Sequence, residues 1–269
     1  MKRRLAVITG ASAGLGAAFA RKLAAQGYDL LLIARREDRL LALARQLSED
    51  YKIDAQALVA DLVDGTALEG VAARIENEGD LALLINNAGF GTNHYYFETD
   101  ALGQDSMHRL HVVATARLTH AALKNLVPRG GAGSGVINVS SVAAFAAAPQ
   151  NVSYCATKAW MNRFTEGLAI ELAARNSPVA VQALCPGYTL TEFHDVLGAD
   201  RSAIPAAFWM TADSVVEASL RAFPKRTLFV VPGWRYKILV GILRVIPSGL
   251  MRWGSVGAVR RFRRLKKRD

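Results

Sequence analysis

The hydrophobic and polar positions of the chain form two kinds of segment that alternate. Short apolar runs recur from residue 5 to residue 231, and they read LAVIT, DLLLIA, AQALVA, LALLIN, GVINVS, VAVQAL and TLFVV. Alanine-rich amphipathic segments separate them, at 14–26, 37–49, 65–78, 104–127, 152–175 and 211–223. Continuously apolar strands are buried on both faces, and strands that alternate with helices form βαβ units. The pattern predicts an α/β fold, a doubly wound parallel sheet of about seven strands with helices on both faces.

The composition agrees with a folded enzyme-sized domain. Of the 269 residues, 51% are hydrophobic and 21% are charged, which excludes a disordered chain. Two cysteines, Cys155 and Cys185, are too few for a disulfide framework and predict a cytoplasmic protein. MKRR passes at once into a short β-branched run and then glycines, so no signal peptide is expected. We expect one domain over residues 1–231.

The charge is concentrated at one end. The net charge is +10, and residues 232–269 hold eleven Lys or Arg and one acidic residue, so this segment carries all of it. We predict a basic amphipathic helical tail there. Its apolar run, 238–246, is far shorter than the about 20 residues of a membrane span. One hypothesis is peripheral contact with the inner face of a membrane. The equal alternative is a helix packed on the domain or on a partner subunit, whereas a nucleic-acid arm lacks a stacking platform.

A glycine-rich turn follows the first apolar run. Residues 9–16 read TGASAGLG, directly between a predicted strand and a predicted helix. Glycines let the backbone turn sharply and approach a pyrophosphate, which the free N–H groups and positive dipole end of the next helix then bind. The alternative is a tight turn without a ligand. The context favours a Rossmann-type dinucleotide site, whose candidates here are Gly10, Ser12, Gly14, Leu15 and Gly16.

The end of the second apolar run indicates which dinucleotide fits. In such folds this strand end faces the adenosine ribose, and an acidic residue accepts from the hydroxyls of NAD. Ala34 stands at that place, and Arg35 and Arg36 follow it. Because a guanidinium pairs well with a 2′-phosphate, the sequence favours NADP(H) as cofactor. The alternative is a solvated helix start at which both arginines face water.

The next two strand ends add further cofactor candidates. Asp61, which Leu62 follows, ends the third run and offers a carboxylate to the adenine amino group. Asn87, Ala88 and Gly89 end the fourth run, where small residues leave room for the cofactor. No Cys or His spacing suggests zinc, so no metal is expected.

Tyr154 and Lys158 are four residues apart in a predicted helix, which places them on one face. A free phenol has a pKa of about 10, and a nearby ammonium lowers it toward the range of proton exchange. Ser141 ends the fifth run, from which its hydroxyl reaches the same place and holds a carbonyl oxygen. The alternative is an ordinary helix-surface pair.

The chain as a whole resembles the short-chain dehydrogenase/reductase family. The matching motifs are TGASAGLG, NNAG (86–89), the SS that ends at Ser141, YCATK (154–158) and CPGYTLT (185–191), in family order across residues 4–231. The resemblance implies that Tyr154 is the general acid/base, that Lys158 binds the nicotinamide ribose and that Ser141 orients the substrate carbonyl. It also implies nicotinamide contacts from Pro186, Gly187, Thr189 and Thr191, and a homodimer or homotetramer built through the helices at 104–127 and 152–175.

One position departs from the family pattern. In the family, an asparagine in the helix after NNAG holds a water that links the lysine to a proton relay; here His111 stands at that place. Imidazole offers one donor and one acceptor, so one hypothesis is that His111 holds the water. The alternatives are a charged ring repelled by Lys158, a broken relay with reduced activity, and a packing role. With the relay kept, His111→Asn preserves or raises turnover.

The segment after the PG turn, residues 190–210, is expected to cap the substrate. It is rich in apolar and aromatic side chains, which favours a hydrophobic ketone or secondary alcohol of acyl, steroid-like or aryl type; a buried face of two short helices is the alternative. Candidate lining residues are His94, Phe193 and Phe208. Within the family, the chain resembles bacterial reductases of the DltE-like group. The rival function is a catalytically weakened NADP(H)-binding sensor or membrane-associated scaffold.

Overall fold

The computed structural model describes residues 4–92, 94–131, 133–193, 204–247 and 249. Its main sheet has seven parallel strands in the order β3-β2-β1-β4-β5-β6-β9. This confirms the predicted doubly wound fold. The strands are β1 (Leu5–Thr9), β2 (Asp29–Ala34), β3 (Ala55–Val59), β4 (Leu81–Asn86), β5 (Gly135–Val139), β6 (Ala180–Leu184) and β9 (Phe229–Val230).

Helices cover both faces of this sheet because successive strand side chains point to opposite sides. Ile8 and Leu32 pack on one side, with α1 (Gly14–Ala24), α2 (Glu37–Tyr51) and α7 (Ala212–Ala222). Val7 and Ile33 pack on the other side, with α3 (Gly65–Glu76), α5 (Thr115–Arg129) and α6 (Val152–Ala174). Both cores are buried, which explains why the strands read as continuous apolar runs.

The helix predicted at 104–127 is not α-helical throughout. It consists of α4 (Ala101–His108), a π-helical segment over Arg109–Ala114, and α5. A π turn holds an extra residue, so the side chains after it change direction relative to those before it. The predicted helix is therefore present over residues 104–127, and its π-helical segment contains His111.

Two short strands lie outside the main sheet. Strand β7 (Thr189–Leu190) pairs in parallel with β8 (Met210–Thr211), which connects the two ends of the predicted cap. The middle of that cap, residues 194–203, lies outside the described residues. The part of the predicted tail beyond residue 249 does so as well.

The beginning of the basic segment is a helix, α8 (Trp234–Val245). Tyr236 and Val240 are buried beneath it, and the Arg244 guanidinium lies 5.0 Å from the Phe145 ring centroid and 5.1 Å from that of Phe229. This helix is therefore packed on the sheet domain. None of the helices in the described part of the chain combines the length and the hydropathy of a bilayer span.

Candidate active site

The glycine loop lies between β1 and α1 in a conformation that side chains cannot take. Gly10 and Gly14 have φ values of +65° and +55°, in the left-handed region. A Cβ on Gly10 would lie 2.8 Å from the Cα of Ala88, and one on Gly16 would lie 2.3 Å from the Gly10 carbonyl oxygen. No side-chain hydrogen bond caps α1, and its first turn carries no acidic residue. The loop therefore fits the close approach of an anionic pyrophosphate.

Two polar side chains fasten this loop to the end of β4. The Thr9 hydroxyl oxygen accepts from the N–H groups of Asn87 (2.9 Å) and Ala88 (3.0 Å). The Asn87 amide donates to the carbonyl oxygens of Thr9 (2.9 Å) and Gly10 (3.2 Å). Asn87 therefore shapes the glycine loop as well as leaving room beside it. Thr9 was not among the predicted site residues, although it is the first residue of the TGASAGLG motif.

The predicted ribose end gathers charged side chains. Arg36 donates through Nε to the Ser12 hydroxyl at 3.2 Å and through Nη1 to Glu192 Oε2 at 2.8 Å. Arg39 Nη1 lies 2.7 Å from the other oxygen of the Glu192 carboxylate. These two guanidinium groups hold the pKa of Glu192 below its usual value. Glu192 and Arg39 were missed from the sequence, and 153 residues separate them.

Arg35 and Asp61 face each other beside this cluster. Arg35 Nη1 lies 3.7 Å from Asp61 Oδ2, and Asp61 Oδ1 accepts from the Val63 N–H at 3.0 Å. The Asp61 carboxylate is therefore engaged at both oxygens. Leu62 is buried in the core, so only its backbone is available to a ligand.

Ser141 and Tyr154 meet at the carboxyl end of β5. Ser141 precedes a short 3₁₀ turn, Val142–Phe145, and its hydroxyl oxygen accepts from the Ala143 N–H at 3.1 Å. A hydrogen bond with Ser141 lowers the pKa of Tyr154, but burial has the larger effect and raises that pKa to about 12. Tyr154 retains some exposed surface, so a substrate can still approach it.

Lys158 lies one turn further along α6, as predicted, and is buried. Its Nζ is 5.7 Å from the Tyr154 ring centroid and donates to the Val139 carbonyl oxygen at 2.8 Å. Burial lowers the pKa of Lys158 to about 8. The expectation that the lysine brings the tyrosine pKa below its usual value is wrong for this structure. Desolvation of the buried phenol is the largest effect on this pKa, and it raises the pKa.

The His111 ring is fully buried, and protein atoms engage both of its nitrogens. Nε2 accepts from the Phe90 N–H at 3.2 Å, and Nδ1 lies 2.9 Å from the Thr157 hydroxyl oxygen, which itself donates to the Tyr154 carbonyl at 3.0 Å. Burial, and next the charge of Lys158, lower the pKa of His111 well below its usual value. The ring is therefore neutral, with its proton on Nδ1. Of the alternatives raised from the sequence, the charged ring does not fit this geometry.

His111 also explains why Gly89 is a glycine. A Cβ at Gly89 would lie 2.8 Å from His111 Nε2, the atom that accepts from Phe90. The small residue at the end of NNAG therefore makes room for the imidazole. His111 and Gly89 join the glycine-loop side of the site to the helix that carries Tyr154.

The Pro186–Gly187 turn lies beside the segment that begins at Ser141. The Pro186 carbonyl oxygen accepts from the Val142 N–H at 3.0 Å, and the Thr189 hydroxyl donates to the Gly187 carbonyl at 3.0 Å. Thr191 lies against the glycine loop, since a Cβ on Gly14 would be 3.3 Å from its side chain. The predicted nicotinamide and pyrophosphate contacts are thus neighbours in space.

A tyrosine of α8, which sequence reasoning missed, covers this turn. The ring of Tyr236 lies so close to Gly187 that a Cβ there would be 2.1 Å from Tyr236 Cζ. Its hydroxyl accepts from the Tyr188 N–H and donates to the Phe208 carbonyl. No sequence pattern connects Tyr236 with the turn, because 48 residues separate it from Tyr188.

The three predicted substrate-lining residues lie in different surroundings. The Phe193 ring centroid is 5.9 Å from that of Tyr154, so Phe193 lies beside the candidate acid/base. The Phe208 ring is 5.9 Å from the Tyr236 ring, at the base of the cap. His94 is exposed. Phe193 is the one of the three that borders the trio Ser141, Tyr154 and Lys158.

Known proteins are similar to this chain in sequence and in fold. A family model described as short chain dehydrogenase matches residues 4–202. A solved short-chain dehydrogenase from Sphingobium yanoikuyae, in complex with NADPH, has a TM-score of 0.81 at 33% identity and covers 91% of this chain and 97% of its own. Sulfoacetaldehyde reductase 2 of Chromohalobacter salexigens is 33% identical, over 76% of this chain and 80% of its own length.

A further relative carries a different description. The Homo sapiens protein named inactive hydroxysteroid dehydrogenase-like protein 1 is 26% identical, over 94% of this chain and 75% of its own length. The parallel sheet and the match to the family model support an oxidoreductase fold that takes a nicotinamide cofactor. The chain belongs to the short-chain dehydrogenase family, which confirms the resemblance read from its motifs.

Proposed function

We propose that this protein is an NADP(H)-dependent oxidoreductase that interconverts a hydrophobic ketone and a secondary alcohol. The observation that carries the proposal is the meeting of Ser141, Tyr154 and Lys158 at the carboxyl end of β5, beside a glycine loop fit for a pyrophosphate. In open α/β sheets, ligands bind at that edge. The family to which the chain belongs performs hydride transfer.

The nicotinamide cofactor, when bound, supplies or accepts the hydride at the substrate carbon. The side chains of the protein position the substrate oxygen and transfer its proton. Ser141 holds the carbonyl oxygen in place, and the Tyr154 hydroxyl gives that oxygen its proton during reduction and takes it back during oxidation. The buried Lys158 ammonium, with Nζ 5.7 Å from the Tyr154 ring centroid, would bind the nicotinamide ribose hydroxyls. His111 is a positioning residue, because its ring holds the Phe90 backbone and, through Thr157, the Tyr154 backbone.

The preference for NADP(H) rests on the cations after β2. Arg36 lies within hydrogen-bond distance of Ser12 in the glycine loop, which brings a guanidinium to the predicted 2′-phosphate position. Arg39 adds a second cation there. The similar Sphingobium yanoikuyae enzyme was solved with NADPH, in agreement with this preference.

The apolar surroundings of Tyr154 favour a hydrophobic substrate. Phe193 lies on one side of the tyrosine ring, and His111, which is neutral, lies edge-on at 5.9 Å. An acyl, steroid-like or aryl carbonyl would fit beside such a ring. The word hydroxysteroid in the name of the human relative points to the same substrate class. The finer likeness to the DltE-like reductases stays a prediction.

The decisive experiment follows NADPH absorbance with a panel of bulky hydrophobic ketones. We expect consumption of NADPH that depends on the ketone and disappears in Tyr154→Phe, while cofactor binding in that variant persists. Tyr51→Phe, a change at the exposed carboxyl end of α2, serves as the matched control and should retain turnover. NADPH binding without consumption across the whole panel would contradict the proposal.

A second candidate is an NADP(H)-binding sensor with weakened catalysis. Two observations favour it: the human relative is named inactive, and His111 replaces the family asparagine. In this case the cofactor binds with ordinary affinity and changes the stability of the protein, but no ketone is reduced. Cofactor-dependent melting without turnover is the result that would select this candidate.

Assembly is proposed to be homo-oligomeric through the long helices. Ile170 on α6 and Val113 beside α5 are exposed large apolar side chains, 66% and 53% accessible, as a buried helix pairing would need. Light scattering of the wild-type protein and Ile170→Asp tests this. We expect a dimer or tetramer that the aspartate dissociates.

Peripheral membrane contact is also proposed, through α8. Its exposed apolar residues Trp234, Ile238 and Ile242 recur at helical spacing, and Arg235 and Lys237 flank them. Flotation with vesicles of anionic phospholipid should capture the wild-type protein and lose an Ile238→Asp/Ile242→Asp variant. Equal capture of both proteins would contradict the proposal. Deletion of the whole helix is unsuitable, because Tyr236 holds the Pro186–Gly187 turn.

A further inference from the structure

The residue after Thr191 connects the start of the cap to the cofactor-selecting arginines. Glu192 lies 2.8 Å from Arg36 and 2.7 Å from Arg39, in two ion pairs that cross from the cap to α2. Its neighbours are in the site as well, since Thr191 packs against Gly14 and Phe193 against Tyr154. A carboxylate therefore occupies the guanidinium groups that the proposed NADP(H) preference assigns to the 2′-phosphate.

The charges of the two possible cofactors differ at this point. A 2′-phosphate is an anion and competes with the Glu192 carboxylate for the same N–H donors, and the two anions repel each other at short range. A 2′-hydroxyl is neutral and can donate to a carboxylate, as it does to the acidic residue of NAD-specific folds. Glu192 should therefore weaken the binding of NADP(H) and leave the binding of NAD(H) unaffected.

We propose that Glu192 is a specificity-determining residue that narrows the preference for NADP(H) over NAD(H) by competing with the 2′-phosphate for Arg36 and Arg39. The inference rests on the proposed function, which assigns the 2′-phosphate to these arginines. Family motifs do not contain it, because the residue comes from the cap and not from the end of β2. The pair partners are about half exposed, so the phosphate can displace the carboxylate without unfolding the cap.

The test uses two fragments that differ only in the group of interest, 2′,5′-ADP and 5′-AMP. Calorimetric titration of the full chain gives the two dissociation constants for wild type, Glu192→Gln and Arg36→Gln. We expect Glu192→Gln to bind 2′,5′-ADP about threefold to tenfold more tightly, the range that one or two exposed ion pairs offset, with 5′-AMP unchanged or weaker. Glu217→Gln, which removes another exposed ion pair, is the matched control and should change neither constant.

The outcomes separate this inference from the proposed NADP(H) preference. If wild type prefers 2′,5′-ADP through Arg36 and Glu192→Gln leaves the ratio unchanged, the inference is overturned and the NADP(H) preference stands. If wild type shows no preference and Glu192→Gln creates one, the inference stands and the NADP(H) preference of the natural protein fails. If no variant discriminates between the fragments, both fail.

Discussion

The hydroxyl of Tyr236 accepts a hydrogen bond from the Tyr188 N–H at 2.9 Å and donates one to the Phe208 carbonyl oxygen at 2.8 Å. Tyr236 belongs to α8, near the carboxyl end of the chain, whereas Tyr188 follows the Pro186–Gly187 turn. One side chain therefore bridges the proposed nicotinamide turn and the base of the cap. The basic segment begins with a helix that supports the site.

Tyr236→Phe keeps the ring over Gly187 and removes both hydrogen bonds. We expect the free energy of unfolding to fall by about 1–3 kcal/mol, since two partly buried hydrogen bonds of about 0.5–1.5 kcal/mol each are lost. The turn is then less well held, so the dissociation constant for NADPH should rise several-fold. Denaturant unfolding and fluorescence titration measure the two effects, with the exposed Tyr51→Phe as control. Lower stability with unchanged cofactor affinity would limit Tyr236 to supporting the cap.

Gly89→Ala should be costly because of one neighbour. The new methyl group would lie 2.8 Å from His111 Nε2, and overpacking of this kind costs about 1–3 kcal/mol of stability. Combining it with His111→Asn shortens the facing side chain, so the loss in the double variant should be smaller than the sum by about 1 kcal/mol. Gly70→Ala is the control, because nothing lies within 4 Å of its Cβ. Strict additivity would contradict the contact.

His111 makes stability depend on pH. Its pKa is lowered well below the usual value in the folded protein, so the unfolded chain binds one more proton than the native state as the pH falls below the unfolded pKa. The unfolding free energy should therefore decrease on acidification from pH 7 to 5, by up to about 1.4 kcal/mol per pH unit below about 6.5. Melting curves of His111→Asn should lack this slope, whereas those of His120→Asn, an exposed histidine, should keep it. Equal slopes in all three proteins would contradict the buried neutral ring.

Lys158→Met should stabilise the protein and inactivate it. Burial lowers the pKa of Lys158 from 10.5 to about 8, so at neutral pH the folded state carries an ammonium in a place that disfavours it. Removing that charge should raise the free energy of unfolding by up to about 3 kcal/mol at pH 7, which is the free-energy equivalent of the lowered Lys158 pKa. As a depressed pKa requires, the gain should shrink as the pH rises from 8 toward 10.5. Melting temperature against pH and NADPH turnover test the two halves, and a destabilised variant at pH 7 would contradict the desolvation argument.

The sheet, its covering helices and the glycine loop were predictable because short stretches of sequence determine each of them. A strand buried on both faces must be apolar throughout, so the runs of β1, β2 and β4 were recognisable as strands. The motifs that hold Ser141, Tyr154 and Lys158 have a regular spacing, so their meeting at one strand end was also predictable. Gly10, Gly14 and Gly16 were recognisable for the same reason, since their backbone conformation and close contacts exclude side chains.

What escaped prediction depends on residues far apart in the chain. Glu192 meets Arg36 across 156 positions and Tyr236 meets Tyr188 across 48, and neither pair has a spacing rule. The π-helical segment around His111 was missed because amphipathic periodicity is too coarse to register one extra residue in a turn. The pKa of Tyr154 was misjudged because a spacing shows that a lysine is near but not how thoroughly protein atoms remove water from the phenol.

The contact between Tyr236 of α8 and the Pro186–Gly187 turn has a consequence for folding during synthesis and for proteolysis. During translation, a nascent chain that ends before Tyr236 already contains the glycine loop, Ser141, Tyr154 and Lys158. It lacks the tyrosine whose hydroxyl bonds to Tyr188 and Phe208, so the Pro186–Gly187 turn is not held in place. A protease that cuts between Val230 and Tyr236 would separate α8 from the domain, and the folded protein would then lack the same support for the turn. We expect ribosome-bound chains and clipped chains to share one defect, poor retention of the dinucleotide, while their catalytic side chains remain intact.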